Sequence, residues 1–314
     1  MGVSPQLPAY TCSKCKKRPA FYNRAYSGEY LCKKCFVKAI YKKTVETIKK
    51  YKLINYGERV GVGVSGGKDS LSLLFILSKF LGAERLVSIT IDEGIAGYRE
   101  EAVGFAETVS RRLGVKHVVY TYKQLFGRSM DEVQPLKGDH SSCSICGTFR
   151  RRALDIAAEE AGVDVLATAH NLDDLVQSFL IILTNGDLDR LAEANPAVGY
   201  STAFSARKVH PFMAIYEREL AIFAMLKRFP MQSVTCPYMN EGIRTKVRNF
   251  LNTLEEGHPG IKFELLRSYE GLVERRTFRN GGSCSRCGRP SRGSLCQVCM
   301  MMDALDEASR LHGG

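Results

Sequence analysis

No stretch of this 314-residue chain approaches the run of about 20 apolar residues that a membrane-spanning helix needs. The longest, Leu71–Leu77 and Leu180–Leu183, are far shorter, and no secretory leader or low-complexity tract is visible. The expectation is a cytoplasmic protein with no membrane partner. Acidic residues are also in deficit: 33 Asp and Glu stand against 45 Lys and Arg, a formal net charge of +12. That excess suits a densely negative partner, nucleic acid above all, although a basic surface also serves solubility alone. With 45% hydrophobic and 25% charged residues the composition excludes a large disordered region, and the length suits one α/β core with smaller attachments.

Cysteine is the residue that the chain does not lack, and a cytosolic chain that groups its cysteines usually binds metal with them. The eleven fall as four, three and four. Cys12, Cys15, Cys32 and Cys35 form two CxxC pairs separated by sixteen residues. Cys284, Cys287, Cys296 and Cys299 form a tighter set with eight residues between pairs. Two CxxC knuckles complete the tetrahedron that zinc prefers, so each quartet reads as a closed structural Zn²⁺ ribbon. The middle set, Cys143, Cys146 and Cys236, is one thiolate short of such a site.

Between the ribbons the pattern alternates strand and helix. RVGVGV (Arg59–Val64), RLVSITID (Arg85–Asp92), KHVVYTY (Lys116–Tyr122) and DVLATAH (Asp164–His170) read as apolar, β-branched strands. Asp69–Leu81, Tyr98–Gly114 and Thr148–Gly162 read as the helices between and beside them. This predicts an α/β fold with a doubly wound parallel sheet, whose ligands sit beyond the carboxyl ends of the strands. Further helical patterns cover Leu175–Leu183, Glu217–Lys227 and Thr245–Glu255, with Asn185–His210 reading as a loop or lid. The expected division is an N-terminal ribbon over 1–36, a basic linker helix over 37–56, a catalytic domain over 57–280 and a C-terminal ribbon and helix over 281–314.

The sharpest catalytic motif is VGVSGGKDS, Val62 to Ser70, between a predicted strand and helix. Gly66 and Gly67 permit a tight turn and close approach to an anion, and the following helix N-terminus favours phosphate. It is neither a Walker A loop nor GxGxxG. It resembles the SGGxDS loop of the PP-loop ATP pyrophosphatases, and the likeness continues through CSICG, TAHNLDD and both quartets, from Cys12 to Cys299. The chain is similar in this to the two-zinc-finger tRNA 2-thiouridine synthetases of archaea and thermophilic bacteria.

That resemblance implies a HUP-like fold, ATP as cofactor, adenylation of a uridine C2 oxygen with release of pyrophosphate, and displacement of AMP by sulfur. It places pyrophosphate on Ser65, Gly66, Gly67, Asp69 and Ser70 beside Lys68, and the nucleoside on backbone groups of Gly63 and Ile91. Thr168 and Ala169 match the segment near the nucleotide, with Ala169 standing where the family has glycine. Asp174 matches the acidic residue held essential for catalysis, and Asp69 would help position Mg²⁺. Arg150 occupies a place that is lysine in some relatives, where a cation would offset phosphate charge. Taken without the family, His170, Asp173 and Asp174 also suit a helix N-terminal cap.

For the trio, the resemblance implies a 4Fe-4S cluster held by three cysteines, with one iron open to the incoming sulfur, a departure from the usual four-cysteine set. Two other readings stay open: a persulfide relay on Cys143 and Cys236, and a zinc site completed by His140. The implied sulfur donor is a ubiquitin-like carrier or sulfide, and a homodimer is a further expectation. For tRNA contact, the basic segments Arg150–Arg152 and Arg275–Arg279 are candidates for the backbone, and Tyr22, Tyr26 and Tyr30 for stacking on unpaired bases.

Overall fold

The computed structural model describes residues 10–187, 191, 206–239, 243–274, 282–291 and 293–312. At the amino end a hairpin of β1 (Tyr22–Arg24) and β2 (Glu29–Leu31) runs into helix α1 (Lys33–Lys50). The central sheet is built from β3 (Val60–Gly63), β4 (Leu86–Asp92), β5 (Lys116–Thr121), β6 (Val165–Ala167) and β7 (Arg207–Val209). Helices α2 (Lys68–Leu81) and α3 (Arg99–Leu113) link its first three strands. The short α4 (Tyr122–Phe126) and α5 (Met130–Val133) and the long α6 (Ser142–Glu160) precede β6, and α7 (Leu172–Thr184) follows it. After β7 come α8 (Glu217–Lys227), α9 (Ile243–Gly257), α10 (Ile261–Glu274), the hairpin β8 (Gly282–Ser283) and β9 (Pro290–Ser291), and α11 (Gln297–His312). No helix among the described residues is long and apolar enough to cross a membrane.

The five strands of the central sheet are all parallel and ordered β5-β4-β3-β6-β7. The chain therefore builds outward from β3 to β5, then crosses back and places β6 on the other side of β3. The crevice beyond the carboxyl ends of β3 and β6 is a topological switch point, where such sheets bind ligands. Register makes this concrete: Val62 pairs with Ala167, so the loops after the two strands leave the sheet side by side. Strand β4 is buried over Leu86–Ile91, as a strand covered by helices on both faces should be.

Gly66 fixes the first of these loops. Its φ is +84°, and a Cβ there would lie 2.1 Å from the carbonyl oxygen of Ala102 in α3. No side chain fits that approach, and the left-handed backbone adds strain for any residue but glycine. Gly66→Ala is expected to cost at least about 2 kcal/mol of stability. Urea unfolding checks this as a lowered midpoint at unchanged slope.

The N-terminal hairpin is continuous with the main core. Cys12, Leu31, Cys32, Phe36 and Ile40 are buried in the same apolar cluster as Val60, Leu71 and Phe223. Arg24 adds an ion pair to α8, its Nε lying 2.8 Å from Glu219 Oε1 with both side chains buried.

Four expectations change here. Segment 207–209, assigned to a loop or lid, is the fifth strand of the sheet; residues 188–190 and 192–205 of that segment lie outside the described residues. Helix α6 begins at Ser142 rather than Thr148, because the Ser141 hydroxyl caps it by accepting from Ser144 N at 3.2 Å, and so it carries Cys143 and Cys146 in its first turns. Helix α10 was not anticipated. Tyr26 is packed rather than free for a base: it stacks on Tyr216 at 5.0 Å and meets Phe263 edge-on. Tyr22 likewise packs against Phe36, and Tyr30 stacks on Tyr10. Residues 275–279 lie outside the described residues.

Candidate active site at the sheet switch point

The loop after β3 is organised by its own hydroxyls. Ser70 Oγ accepts from Ser65 N at 3.2 Å and donates to Gly67 O at 2.9 Å, which closes the turn onto the first residues of α2. Lys68 Nζ lies 3.2 Å from both Asp69 Oδ2 and Glu217 Oε1. Asp69 faces Asn171 across the crevice, the Asn171 amide donating to Asp69 Oδ2 at 3.4 Å. Its other oxygen, Oδ1, is buried with no hydrogen-bond partner. Burial pushes the Asp69 carboxyl up to about 6, against the lowering effect of Lys68 and with a further rise from Asp174 and Glu217.

The loop after β6 supplies the facing wall. Asn171 and Asp174 form a capping box at the start of α7: Asn171 Oδ1 accepts from Asp174 N at 3.1 Å, and Asp174 Oδ2 accepts from Asn171 N at 3.2 Å. The cap reading of this segment therefore holds for Asp174, which at the same time lines the crevice. Asp173 points away from it, accepting from Glu217 N at 2.7 Å and pairing with the buried Lys262 at 2.5 Å. Thr168 Oγ1 lies 2.8 Å from both His170 Nδ1 and His210 Nδ1. One hydroxyl donates to one ring and accepts from the other, so the two imidazoles take complementary tautomers. Burial lowers both, His210 to about 3, which keeps them neutral near neutral pH.

Together these loops enclose a cleft of about 430 Å³. Ser65, Gly67, Lys68, Asp69 and Ser70 line it from the β3 side, with Gly63 and Ile91 at its floor. Thr168, Ala169 and Asp174 line it from the β6 side, and Arg150 of α6 lines it as well. Gly66 alone of the anticipated nucleotide contacts is not in the wall; it serves the approach to α3 instead.

Arg150, which lines the cleft, also has partners outside the phosphate loop. Its Nε pairs with Glu93 Oε1 at 2.6 Å, and its terminal nitrogen donates to Cys146 Sγ at 3.4 Å. Glu93, buried at the end of β4, also pairs with Arg99 Nε at 2.5 Å through its other oxygen. Arg99 in turn donates to Ser65 O at 3.2 Å and to Ile91 O at 2.7 Å. A continuous ionic chain thus runs from Cys146 to the β3 loop. Glu93 and Arg99 were not anticipated; the pointer was Glu93's place one residue past a parallel strand, at the rim where ligands sit. Arg152 is turned from the expected phosphate role, its guanidinium donating to Cys287 and Cys296.

The middle cysteines converge from two segments. Cys146 and Cys236 belong to one apolar cluster, and Cys143 Sγ donates to Tyr238 O at 3.7 Å, two residues beyond Cys236. Cys143 is exposed and Cys146 buried. Among the described residues only the terminal quartets gather three or more metal-ligating atoms within 4.8 Å. The trio does not, with or without His140, so no zinc-type tetrahedron is gathered there among the described residues. The quartets do fit zinc: Cys15 and Cys32 sulfurs are 3.9 Å apart and those of Cys287 and Cys296 3.8 Å. Bonds of about 2.3 Å in a tetrahedron require about that spacing. Cys12 and Cys284 are both lowered to about 6; burial opposes the shift at Cys12, and backbone N–H groups of the neighbouring knuckle residues outweigh it.

Comparison with known proteins agrees with this arrangement. Residues 38–252 match the PP-loop domain model, and residues 11–37 match the N-terminal LIM domain of the 2-thiouridine synthetase TtuA. A Chlamydomonas reinhardtii protein named cytoplasmic tRNA 2-thiolation protein 1 is 33% identical over 309 residues, covering 96% of this chain and 86% of its own. The Xenopus laevis protein of that name is 32% identical over 301 residues, covering 94% and 88%. Among solved structures, the U34-tRNA thiolase NcsA from Methanococcus maripaludis, determined with its 4Fe-4S cluster, superposes with a TM-score of 0.83 at 30% identity, covering 93% of this chain and 95% of that one. The cleft, the ribbons and these relatives lead to one assignment: the chain belongs to the PP-loop family of tRNA 2-thiolation enzymes.

Proposed function

We propose that this protein adenylates the C2 oxygen of a tRNA uridine with ATP and then replaces that oxygen by sulfur. The observation that carries this reading is the chain Cys146–Arg150–Glu93–Arg99–Ser65, which ties a sulfur-bearing helix to the phosphate-type loop through charged contacts of 3.4 Å or less. In the first half-reaction the uridine oxygen attacks the α-phosphorus, pyrophosphate leaves, and the uridine N3 proton is lost. Sulfide-level sulfur then adds at C2, and AMP departs with the original oxygen.

Within this scheme Ser65, Gly67 and Ser70 hold pyrophosphate oxygens by N–H and O–H donors, helped by the α2 N-terminus. Lys68 offsets phosphate charge once ATP draws it from Glu217. The buried Oδ1 of Asp69 lacks a donor, which fits a Mg²⁺ ligand there with Asp174 opposite. Gly63, Ile91, Thr168 and Ala169 border the nucleoside. Cys143, Cys146 and Cys236 fit an iron-sulfur cluster, since they are thiol ligands sharing one neighbourhood. Held by these three residues, a 4Fe-4S cluster would offer a binding site for incoming sulfur. A ubiquitin-like carrier with a C-terminal thiocarboxylate, or sulfide, is the donor we favour, and two Zn²⁺ hold the ribbons.

The test is twofold on one preparation: pyrophosphate released from ATP with and without tRNA, and 2-thiouridine measured by mass spectrometry of nucleosides after adding sulfide. We expect tRNA to stimulate the first and the second to require ATP. Tight tRNA binding with no pyrophosphate release would instead mark a non-catalytic RNA-binding protein.

A further inference from the structure

Helix α6 has business at both ends of the molecule. Its first turns carry Cys143 and Cys146, and its middle carries Arg152. The Arg152 guanidinium forks across the C-terminal ribbon, one terminal nitrogen 3.6 Å from Cys287 Sγ and the other 3.5 Å from Cys296 Sγ. Those two sulfurs come from different CxxC pairs of the quartet. Two helical turns further on, on the same face, Glu159 pairs with Arg289 of the ribbon at 2.8 Å. Helix α11, which springs from the ribbon, completes the contact: Leu305 is buried in the cluster that holds Ile145, Cys146 and Phe149, and Val298 packs against both that cluster and the ribbon cysteines. Arg128 Nη2 and Asp306 Oδ1 pair at 2.9 Å beyond it.

The N-terminal quartet is built otherwise. Among the described residues no lysine or arginine side chain is hydrogen-bonded to Cys12, Cys15, Cys32 or Cys35, although five lysines lie within the segment 14–34. Four thiolates around a divalent ion leave two net negative charges. A guanidinium fork placed against two of them neutralises part of that charge and, being planar with donors at fixed spacing, also fixes the orientation of the group it grips. The fork is therefore specific to the ribbon that touches the sulfur-bearing helix.

We propose that Arg152 is a positioning residue, which anchors the metal-bound thiolates of the C-terminal ribbon onto α6, so that the loaded ribbon fixes the helix presenting Cys143 and Cys146. The ribbon then acts on sulfur chemistry through α6, since none of its described residues lines the cleft. Nothing in this depends on which nucleoside is modified.

Full-length, zinc-loaded protein tests the idea through two readouts that involve no thiolation. The first is the rate of zinc transfer to a chromophoric chelator, with Cys284→Ser used to assign which kinetic phase belongs to the C-terminal site. The second is the rate at which iodoacetamide alkylates the buried Cys146, followed by peptide mass spectrometry. Arg152→Leu is expected to speed C-terminal zinc loss about 10- to 100-fold, the usual size of an outer-ligand effect, and to raise Cys146 alkylation several-fold, with the N-terminal zinc unaffected. Arg152→Lys keeps the charge without the fork and should fall between. Unchanged Cys146 alkylation overturns the proposal, whether or not zinc loss is faster. If Arg152→Leu does not fold, Arg152→Lys decides on the same two rates. Because neither rate requires tRNA or ATP, failure of the adenylation scheme leaves this proposal standing.

Discussion

Asp69→Asn is expected to lower tRNA-dependent pyrophosphate release by about 100-fold or more while the protein stays folded. A charge aimed at the developing transition state in a shielded site is typically worth that much. Asn keeps the shape and still accepts from Asn171 at the same oxygen position, so the loop should hold. What it loses is the anionic Oδ1, a buried oxygen in this cleft that has no hydrogen-bond partner. The pH dependence follows from the raised carboxyl, at about 6. As pH falls through about 6 the free enzyme's Asp69 takes a proton, and kcat/KM should fall with it. For stability the sign is opposite to that of a salt-bridged carboxylate. The folded value lies above the ordinary 3.8, so between about 4 and 6 the native state binds more protons than the unfolded one. This group therefore favours folding most below about 4, and that contribution is lost as pH rises through about 6. Asp69→Asn should accordingly be more stable than the parent at pH 7 and nearly inactive, a pairing expected where charge is held under strain for function. Thermal unfolding at pH 7 and pH 4 measures it; an Asp69→Asn protein with full activity removes Asp69 from the mechanism.

What the sequence disclosed is what is encoded locally. The S-G-G-K-D-S turn specifies a loop from residues within a few positions and appears where its spacing puts it. The cap expected among His170, Asp173 and Asp174 is local too, but it is Asn171 that caps α7, with Asp174 as its capping-box partner, and the helix starts at Leu172 rather than Leu175. The two quartets were legible for the same reason. Long-range pairing was hidden. Strand β7 is three residues, Arg207–Val209, whose only apolar member is Val209, and it becomes a strand because β6 offers an open edge. The first turns of α6 were obscured by a CSICG run poor in helix formers, which Ser141 caps and tertiary contacts hold. The tie of Arg150 to Glu93 was hidden because that partner is 57 residues away. Tyr26 looked available for a base because Tyr216 and Phe263, which cover it, arrive from the far end of the chain.

Cys236→Ser is expected to abolish thiolation and to leave tRNA-dependent pyrophosphate release within about twofold of the parent, the pattern of a residue used in one step only. Cys236 sits in segment 229–239, which is tied down by hydrogen bonds to Tyr98, Glu101 and Asp131 rather than to the nucleotide loop itself. Gln232 donates to Tyr98 O at 2.7 Å, the Ser233 hydroxyl donates to Glu101, and Tyr238 donates to Asp131 at 2.7 Å. These bonds survive the substitution, so Cys143 keeps its Tyr238 contact and the ionic chain from Cys146 to Ser65 is untouched. Serine nearly preserves the volume but offers a hard, protonated oxygen where soft thiolate ligation is needed. Protein prepared without oxygen should hold iron together with two zinc ions; the variant should lose the iron and keep the zinc, and air should do the same to the parent. Parallel metal analysis and nucleoside mass spectrometry separate the alternatives. Iron-free anaerobic parent protein with full thiolation would sink the cluster and leave the persulfide relay on Cys143 and Cys236, in which case Cys143→Ser must be as inactive as Cys236→Ser. Loss of pyrophosphate release along with thiolation would mean instead that the trio shapes the nucleotide cleft through Arg150, and Arg150→Ala should then reproduce the defect with all three cysteines in place.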